Sequence, residues 1–492
     1  MGSQPALSHQ RTLVAVAPWE IKGIDPAKSG IIFQRMEIVE TLTSVDHDGN
    51  LIPCLAESWS TSEDGLTWTF AIRKGARYHD KSKVTPQNVA DSLNISLGKP
   101  GMLRKMPIKS IRAEGDNVVF ELSEACAMLA SGVAHYTACI LAPAAYDNNG
   151  DVIRLIATGP FEVTRFELPQ KIKLRAFRDY WGSVSQIRTA EYLAVARNET
   201  RALMAQSGDA DIIFTLDPVT LQRLKRFHRI RVSTTPLPRT IVIKMNCTHT
   251  GMNTPELRKA LSKGFDRKGI ALTVMREEQS AAQQLFPPAL GIWHLDSLEQ
   301  PDPTVGSYKS LMMKQGWKEN SKGYLEKDGS LLEFTMTTYS DRPELPVCAT
   351  ALQDQMRKMG IKLNIAVSNS SAIPQGHNEG TLEMGLMARN YGLISDPLGS
   401  ILMDYAPEGG DWGAMNWNSP VMQKSLAAIQ KTTTPEKYAE HVKTVCTILH
   451  DEMPTIPVVS YVHSAAYAND IVGFSLDSLE RSYRISEMRW DH

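Results

Sequence analysis

The sequence predicts an α/β protein of two lobes joined by two extended segments, and three observations carry that expectation. The chain has 492 residues, beyond the ~100–200 of an ordinary single domain. Strand-like runs separated by turn clusters dominate up to about residue 180, whereas strand and helix patterns alternate from residue 200 onward, the mark of an α/β layer. Two strongly β-forming segments, 240–246 (TIVIKMN) and 456–462 (IPVVSYV), frame the alternating part and read as crossovers out of one lobe and back into it. Two lobes connected in this way make a hinge, and a hinge makes a cleft. The expected divisions are a lead-in at 1–10, a first lobe at 11–244 with a β-rich subdomain at about 46–180, a second lobe at 245–462, and a return segment at 463–492 that completes the first lobe.

The elements follow in order. Residues 11–19 open on an apolar strand, and 33–42 carry helix periodicity. Residues 46–50 form a turn. Residues 59–73 read as a hairpin around Ser62-Glu63-Asp64-Gly65, with 67–73 alternating in period two. Thr85 is placed as an N-cap and Pro86 as the first residue of a helix that runs through Leu97 and stops at Gly98. Residues 108–122 alternate as two strands turning at Glu114-Gly115-Asp116-Asn117. More sheet is expected at 156–161 and 171–178, a helix at 200–207, a buried strand at 210–213 and an amphipathic helix at 255–265. The second lobe then reads as strands 331–338, 362–367 and 382–388 with helices 344–358, 420–431 and 435–452.

Composition narrows the class. Hydrophobic residues make up 42% and charged residues 22%, as in a soluble globular protein. A formal net charge of -1 argues against a nucleic-acid binder. The sequence has no run of ~18 apolar residues of the kind that spans a bilayer. Met1-Gly2-Ser3 reads as an expression scar and 4–10 as a disordered lead-in, with an export signal expected to have been removed. The six cysteines form no CxxC pair, which excludes a zinc knuckle; they read as small buried apolar residues, although Cys126 and Cys139 are spaced for a bridge across a hairpin. No GxSxG elbow, HExxH motif or Cys–His nucleophile signature supports a hydrolase, so an enzyme is not expected. His79-Asp80 falls in a structural loop, His441 and His450 lie too far apart along one helix to hold one ion, and His228 sits in a basic run, 223–231, that reads as solvated surface.

Six segments, in order, resemble one family: LAESWSTSEDGLTWTFAIRKGARYHD at 55–80, TGPF at 158–161, RDYWG at 178–182, TRALMAQSGDADII at 200–213, LRKALSKGFDRKGI at 257–270 and LHDEMPTIPVVSY at 449–461. Together they resemble the large extracytoplasmic solute-binding proteins of peptide and nickel ABC importers, family 5, with greatest likeness to the nickel-chelate receptors. The resemblance implies an α/β periplasmic-binding-protein fold of type II, a monomer in the periplasm or outside the cytoplasm and possible lipid anchorage. It also implies a membrane permease as partner.

The solute follows from particular residues. Peptide-binding relatives place a carboxylate just before an Asp-Pro step to pair with the peptide ammonium. Here the step is Asp396-Pro397, and 389–395 (RNYGLIS) holds no carboxylate. Arg389-Asn390-Tyr391-Gly392 resembles instead the Arg, aromatic and Gly pattern of the nickel relatives, in which a guanidinium fork suits a carboxylate-bearing chelator. The sequence also departs from that pattern. Cys139 stands where an arginine is expected, Gly101 or Met102 where a tryptophan is expected, and 406–412 lacks the expected metal-binding histidine. His463, after the returning strand, is the expected compensating metal ligand, completing the coordination of Ni(II) already held by small chelators such as histidine or an opine-type metallophore. Arg389, Tyr391, Trp412, Phe33 and Arg104 are the expected ligand-binding residues. No intrinsic cofactor is expected, the Ni(II) chelate being cargo. A di- or oligopeptide receptor is the alternative.

Overall fold

The computed structural model describes residues 11–491 apart from 48, 299–303, 305, 341, 343, 393, 408 and 433, and leaves the lead-in at 1–10 outside the described residues. The chain forms two compact units. Unit 1 comprises Met1–His47, Leu51–Thr235 and His463–His492; unit 2 comprises Pro236–Val462 with the tripeptide 48–50.

Unit 1 is built on β1 (Leu13–Ala17). Its odd residues Leu13, Ala15 and Ala17 pack into one core and Val16 into another, so it is covered on both faces. Such a strand reads as a continuous apolar run. Helix α1 (Pro26–Arg35) follows, capped by Asp25, whose carboxylate accepts from the Ala27 N–H. The helix expected at 33–42 is therefore displaced: Asp25-Pro26 is the start signal, and the chain leaves helical geometry at Met36. Strands β2 (Ala56–Thr61) and β3 (Thr67–Ile72) form the expected hairpin. With β4 (Ile108–Glu114) and β5 (Asn117–Leu122) they make a four-stranded antiparallel sheet in the order β2-β3-β5-β4. Helix α2 (Pro86–Leu97) packs on it, opened by a Thr85–Asn88 capping box. Gly115, at φ +58°, makes the β4–β5 turn.

The larger sheet of unit 1 adds β6 (Phe161–Glu167), β7 (Lys171–Ala176), β8 (Thr189–Ala194) and β9 (Ile212–Phe214). β1 runs parallel to both β8 and β9, while β6, β7 and β8 form an antiparallel meander. Helices α3 (Asn198–Ser207) and α4 (Pro218–Leu224) cover the Val16 face.

The chain passes between units inside two strands. β10 (Ile230–Met245) carries it from unit 1 to unit 2, with the division at Thr235 rather than at the expected residue 244, because one 16-residue strand serves both. In unit 2, after α5 (Pro255–Lys263), come β11 (Glu333–Tyr339), α6 (Glu344–Lys358), β12 (Lys362–Ser368) and β13 (Met384–Asn390). β11 is parallel to β12 and β13, and β13 is antiparallel to β10, with Thr240 opposite Arg389. Helices α7 (Leu398–Asp404), α8 (Pro420–Gln430) and α9 (Pro435–Glu452) complete the unit. β14 (Thr455–Ala468) then returns the chain, with unit 1 resuming at His463 and Phe214 opposite Ala465.

All six cysteines are free and buried, so Cys126 and Cys139 form no bridge. Among the described residues no helix is long and apolar enough to cross a membrane.

Candidate functional site

In unit 1 the polar groups gather around His463. The turn that follows β14 is organised by Asp477, whose carboxylate accepts from the N–H groups of Leu479 (2.9 Å), Arg481 (3.1 Å) and Ser482 (2.9 Å). This wraps the backbone so that Glu480 takes a left-handed conformation, φ +56°, and faces His463. Glu480 Oε1 lies 3.8 Å from His463 Nδ1 and 3.5 Å from Arg35 Nη2, while Arg35 Nε donates to the Glu480 carbonyl at 2.8 Å. The Arg35 guanidinium lies 4.3 Å from the Trp19 ring centroid, a cation–π arrangement. The His463 imidazole is stacked on Phe214 (5.6 Å, 8°), and Phe214 on Tyr483 (3.9 Å, 12°). The imidazole is thus held between an aromatic stack and a carboxylate, and only 6% of the residue is exposed.

In unit 2 the polar groups gather around Asp404 at the end of α7. Arg389 grips it with both arms of its fork, Nε to Oδ2 at 2.6 Å and Nη2 to Oδ1 at 2.9 Å. Burial pushes the Asp404 carboxyl up, and Arg389 and Lys244 pull it back. Tyr391 stands beside the guanidinium, 5.8 Å from ring centroid to Cζ, and is fully buried with its edge against Phe286 (5.1 Å). Lys244, on β10, is completely buried; burial lowers its pKa to about 8 against the pull of Asp404 and Asp411. Trp412, half-buried, meets Tyr339 edge-on at 6.5 Å. Trp417 is fixed by its indole N–H to Glu452 Oε2 at 2.9 Å, so Glu452 serves as a loop anchor.

Of the six expected site residues, Phe33, Arg104 and His463 fall in unit 1, and Arg389, Tyr391 and Trp412 in unit 2. Only Arg389 and Tyr391 are seen together. Phe33 is a correction: fully buried, it packs edge-on against Phe166 (6.1 Å) in the core, on the inner face of α1. Arg104 is exposed on the single turn Leu103–Lys105. Cys139, where a cation was expected, is a buried thiol pushed up to about 12 by burial and supplies no charge. Asp396 accepts from Leu398 N–H at 2.9 Å and from the Tyr438 hydroxyl, a structural use. His79 is likewise structural, contacting the Gly159 carbonyl at 3.0 Å.

Sequence reasoning did not find Arg35, Glu480, Phe214, Tyr483, Asp404 or Lys244. The one local signal was Lys244, a lone cation inside the apolar run IVIKM. The others are assembled from segments up to 445 residues apart.

The chain is thus two α/β units linked through two strands, each bearing a cluster of oriented polar and aromatic side chains. The chain belongs to the bacterial extracellular solute-binding proteins, family 5, whose middle-region model matches residues 50–412. It is 23% identical over 479 residues to the nickel-binding periplasmic protein of Escherichia coli K12, covering 91% of this chain and 90% of that one. It is 24% identical over 374 residues to the oligopeptide-binding protein AppA of Bacillus subtilis, covering 72% and 68%. The nickel ABC transporter crystal structure from Bacillus halodurans superposes with a TM-score of 0.89 at 21% identity, covering 97% of this chain and 99% of that one. The protein is a receptor for an ABC importer. Members of the family act outside the cytoplasm as transport binding proteins.

Proposed function

We propose that this receptor captures a transition-metal chelate, Ni(II) with free histidine or an opine-type metallophore, and delivers it to its importer. The observation that carries the reading is the orientation of His463. With Nδ1 turned toward Glu480, the proposed metal position is Nε2, and the negative charge facing the opposite ring nitrogen raises ligand basicity. Among the described residues no group of three His, Cys, Asp or Glu side chains gathers as a metal cage, so a metal bound here brings most of its ligands with it. Arg389, held in place by Asp404 with Tyr391 beside it, is proposed to meet the chelator through a carboxylate, with Trp412, edge-on to Tyr339, as a further contact.

Titration calorimetry with Ni(II), with and without excess free histidine, tests the proposal on wild type and His463→Ala. Tight binding that requires histidine and is lost in the variant is expected. No heat under either condition removes the histidine chelate and turns the search to metallophores. Heat with di- or oligopeptides and none with any nickel chelate would establish the peptide alternative.

A further inference from the structure

The basic run at 223–231 (RLKRFHRIR) contains five cations and no acid. The structure turns it into a projecting tip. Leu224 and Ile230 are buried and anchor the two ends, while Lys225, Arg226, Phe227, His228 and Arg229 between them are all exposed. The backbone is a succession of tight turns: Arg226 N–H to Arg223 O (3.2 Å), Phe227 N–H to Leu224 O (3.0 Å) and Ile230 N–H to Phe227 O (3.0 Å). Asn469 braces it from a neighbouring segment, donating from its backbone N–H to Arg229 O (2.9 Å) and from Nδ2 to His228 O (3.1 Å). Among the described residues none of Arg223, Lys225, Arg226, Arg229 and Arg231 enters an ion pair, although ion pairs are distributed over the rest of the surface. In a chain of net charge -1 this is a local concentration of positive charge.

Exposed apolar side chains accompany the cations. Phe227 is 37% exposed between Arg226 and His228, and Val219, 69% exposed, lies one helical turn from Arg223 on α4 and so on the same face. Cations interleaved with exposed apolar groups match a bilayer interface, where anionic headgroups attract the charges and the acyl boundary takes the apolar side chains. An acidic peptide would satisfy the cations and leave Phe227 and Val219 in water.

We propose that the 223–231 tip is a docking surface for anionic phospholipid membranes, which would hold the receptor at the bilayer containing its importer. The proposal is independent of which solute is carried. Co-sedimentation of the full chain with vesicles of phosphatidylglycerol and phosphatidylcholine in equal parts, and with phosphatidylcholine alone, tests it. Binding only to the anionic vesicles, weakening as salt is added, is expected. Lys225→Gln/Arg226→Gln should lower partitioning roughly tenfold or more. Phe227→Ser should lower it a few-fold without changing the salt dependence. Lys318→Gln, which removes an exposed cation from unit 2, should leave it unchanged. Arg229 is left intact because its guanidinium lies against Gly208. Urea unfolding confirms that each variant is folded. Absence of binding at low salt, equal binding to both vesicles, or a double variant no weaker than Lys318→Gln would overturn the proposal.

Discussion

Lys244 Nζ donates to two backbone carbonyls of one loop, Gly410 O at 2.6 Å and Asp411 O at 3.0 Å, from a position with no exposed surface. The loop carrying Trp412 is therefore pinned by a buried cation whose pKa is depressed to about 8 from 10.5. Between those values the unfolded chain binds a proton that the native chain has released, so this group makes stability rise with pH. Urea unfolding at pH 8 and pH 9.5 should show wild type gaining about 1–2 kcal/mol relative to Lys244→Met. Parallel curves for the two proteins would refute the depressed pKa.

Glu37 makes the opposite case. Its carboxylate accepts from the Ser486 N–H at 2.9 Å and from the Ser486 hydroxyl, tying the segment after α1 to the return segment. Burial raises it to about 7, with the Ser486 bonds pulling it down. A raised carboxyl contributes stability that is complete below its unfolded pKa of about 4.5 and lost as pH rises through 7. Glu37→Gln should be more stable than wild type by about 1–2 kcal/mol at pH 8 and should flatten the slope between pH 4.5 and 7 in denaturant titrations.

The Arg389–Asp404 pair allows structural and binding roles to be separated. With side-chain exposures of 14% and 3%, breaking it by Arg389→Met should cost about 3–5 kcal/mol, because Asp404 is left buried and uncompensated. Arg389→Met/Asp404→Leu should recover most of that loss. If the guanidinium also meets the chelator, the refolded double variant will bind it at least roughly tenfold more weakly by calorimetry. Unchanged affinity would reduce Arg389 to a structural residue.

Glu480→Gln tests how His463 is oriented. Replacing the carboxylate removes the charge that faces Nδ1 and leaves the shape of the turn, which Asp477 builds. Affinity for a nickel chelate should fall roughly 10–100-fold. The thermal midpoint should also fall, because Arg35 loses its buried carboxylate partner, and adding His463→Ala should remove the binding that remains. An undiminished affinity would show that Glu480 does not position the ligand.

Much of the framework was legible because local chemistry dictated it. Thr85-Pro86 opened α2, Gly115 turned β4 into β5, and period-two alternation marked β3. The helix at 33–42 was misplaced because Ile32, Phe33 and Met36 satisfy helix periodicity while the Asp25-Pro26 start, ten residues earlier than Arg35, sets its actual length. The site was less legible for a different reason. Arg389 was visible as a carboxylate receptor, but its carboxylate, Asp404, arrives on another element, and no spacing rule connects a sheet end with the last residue of a helix. His463 was visible as a lone histidine after the returning strand, whereas Glu480, which faces it, and Arg35, which pairs with Glu480, join the cluster only through the packing of unit 1.

The division of unit 1 into separated stretches bears on the order in which the molecule can be made. Residues 236–462 are continuous and can reach their own fold before unit 1 is complete. Unit 1 has no such option: β9 waits for its β14 partner, Arg35 waits for Glu480, and Phe214 waits for His463 and Tyr483, all of them in the return segment. A product that stops before residue 463 would keep one intact unit yet lack the imidazole, the Glu480 carboxylate and the Tyr483 ring, leaving Phe214 without either of its stacking partners. Assembly of the His463 cluster is therefore tied to the completion of unit 1, which draws on all of its separate stretches.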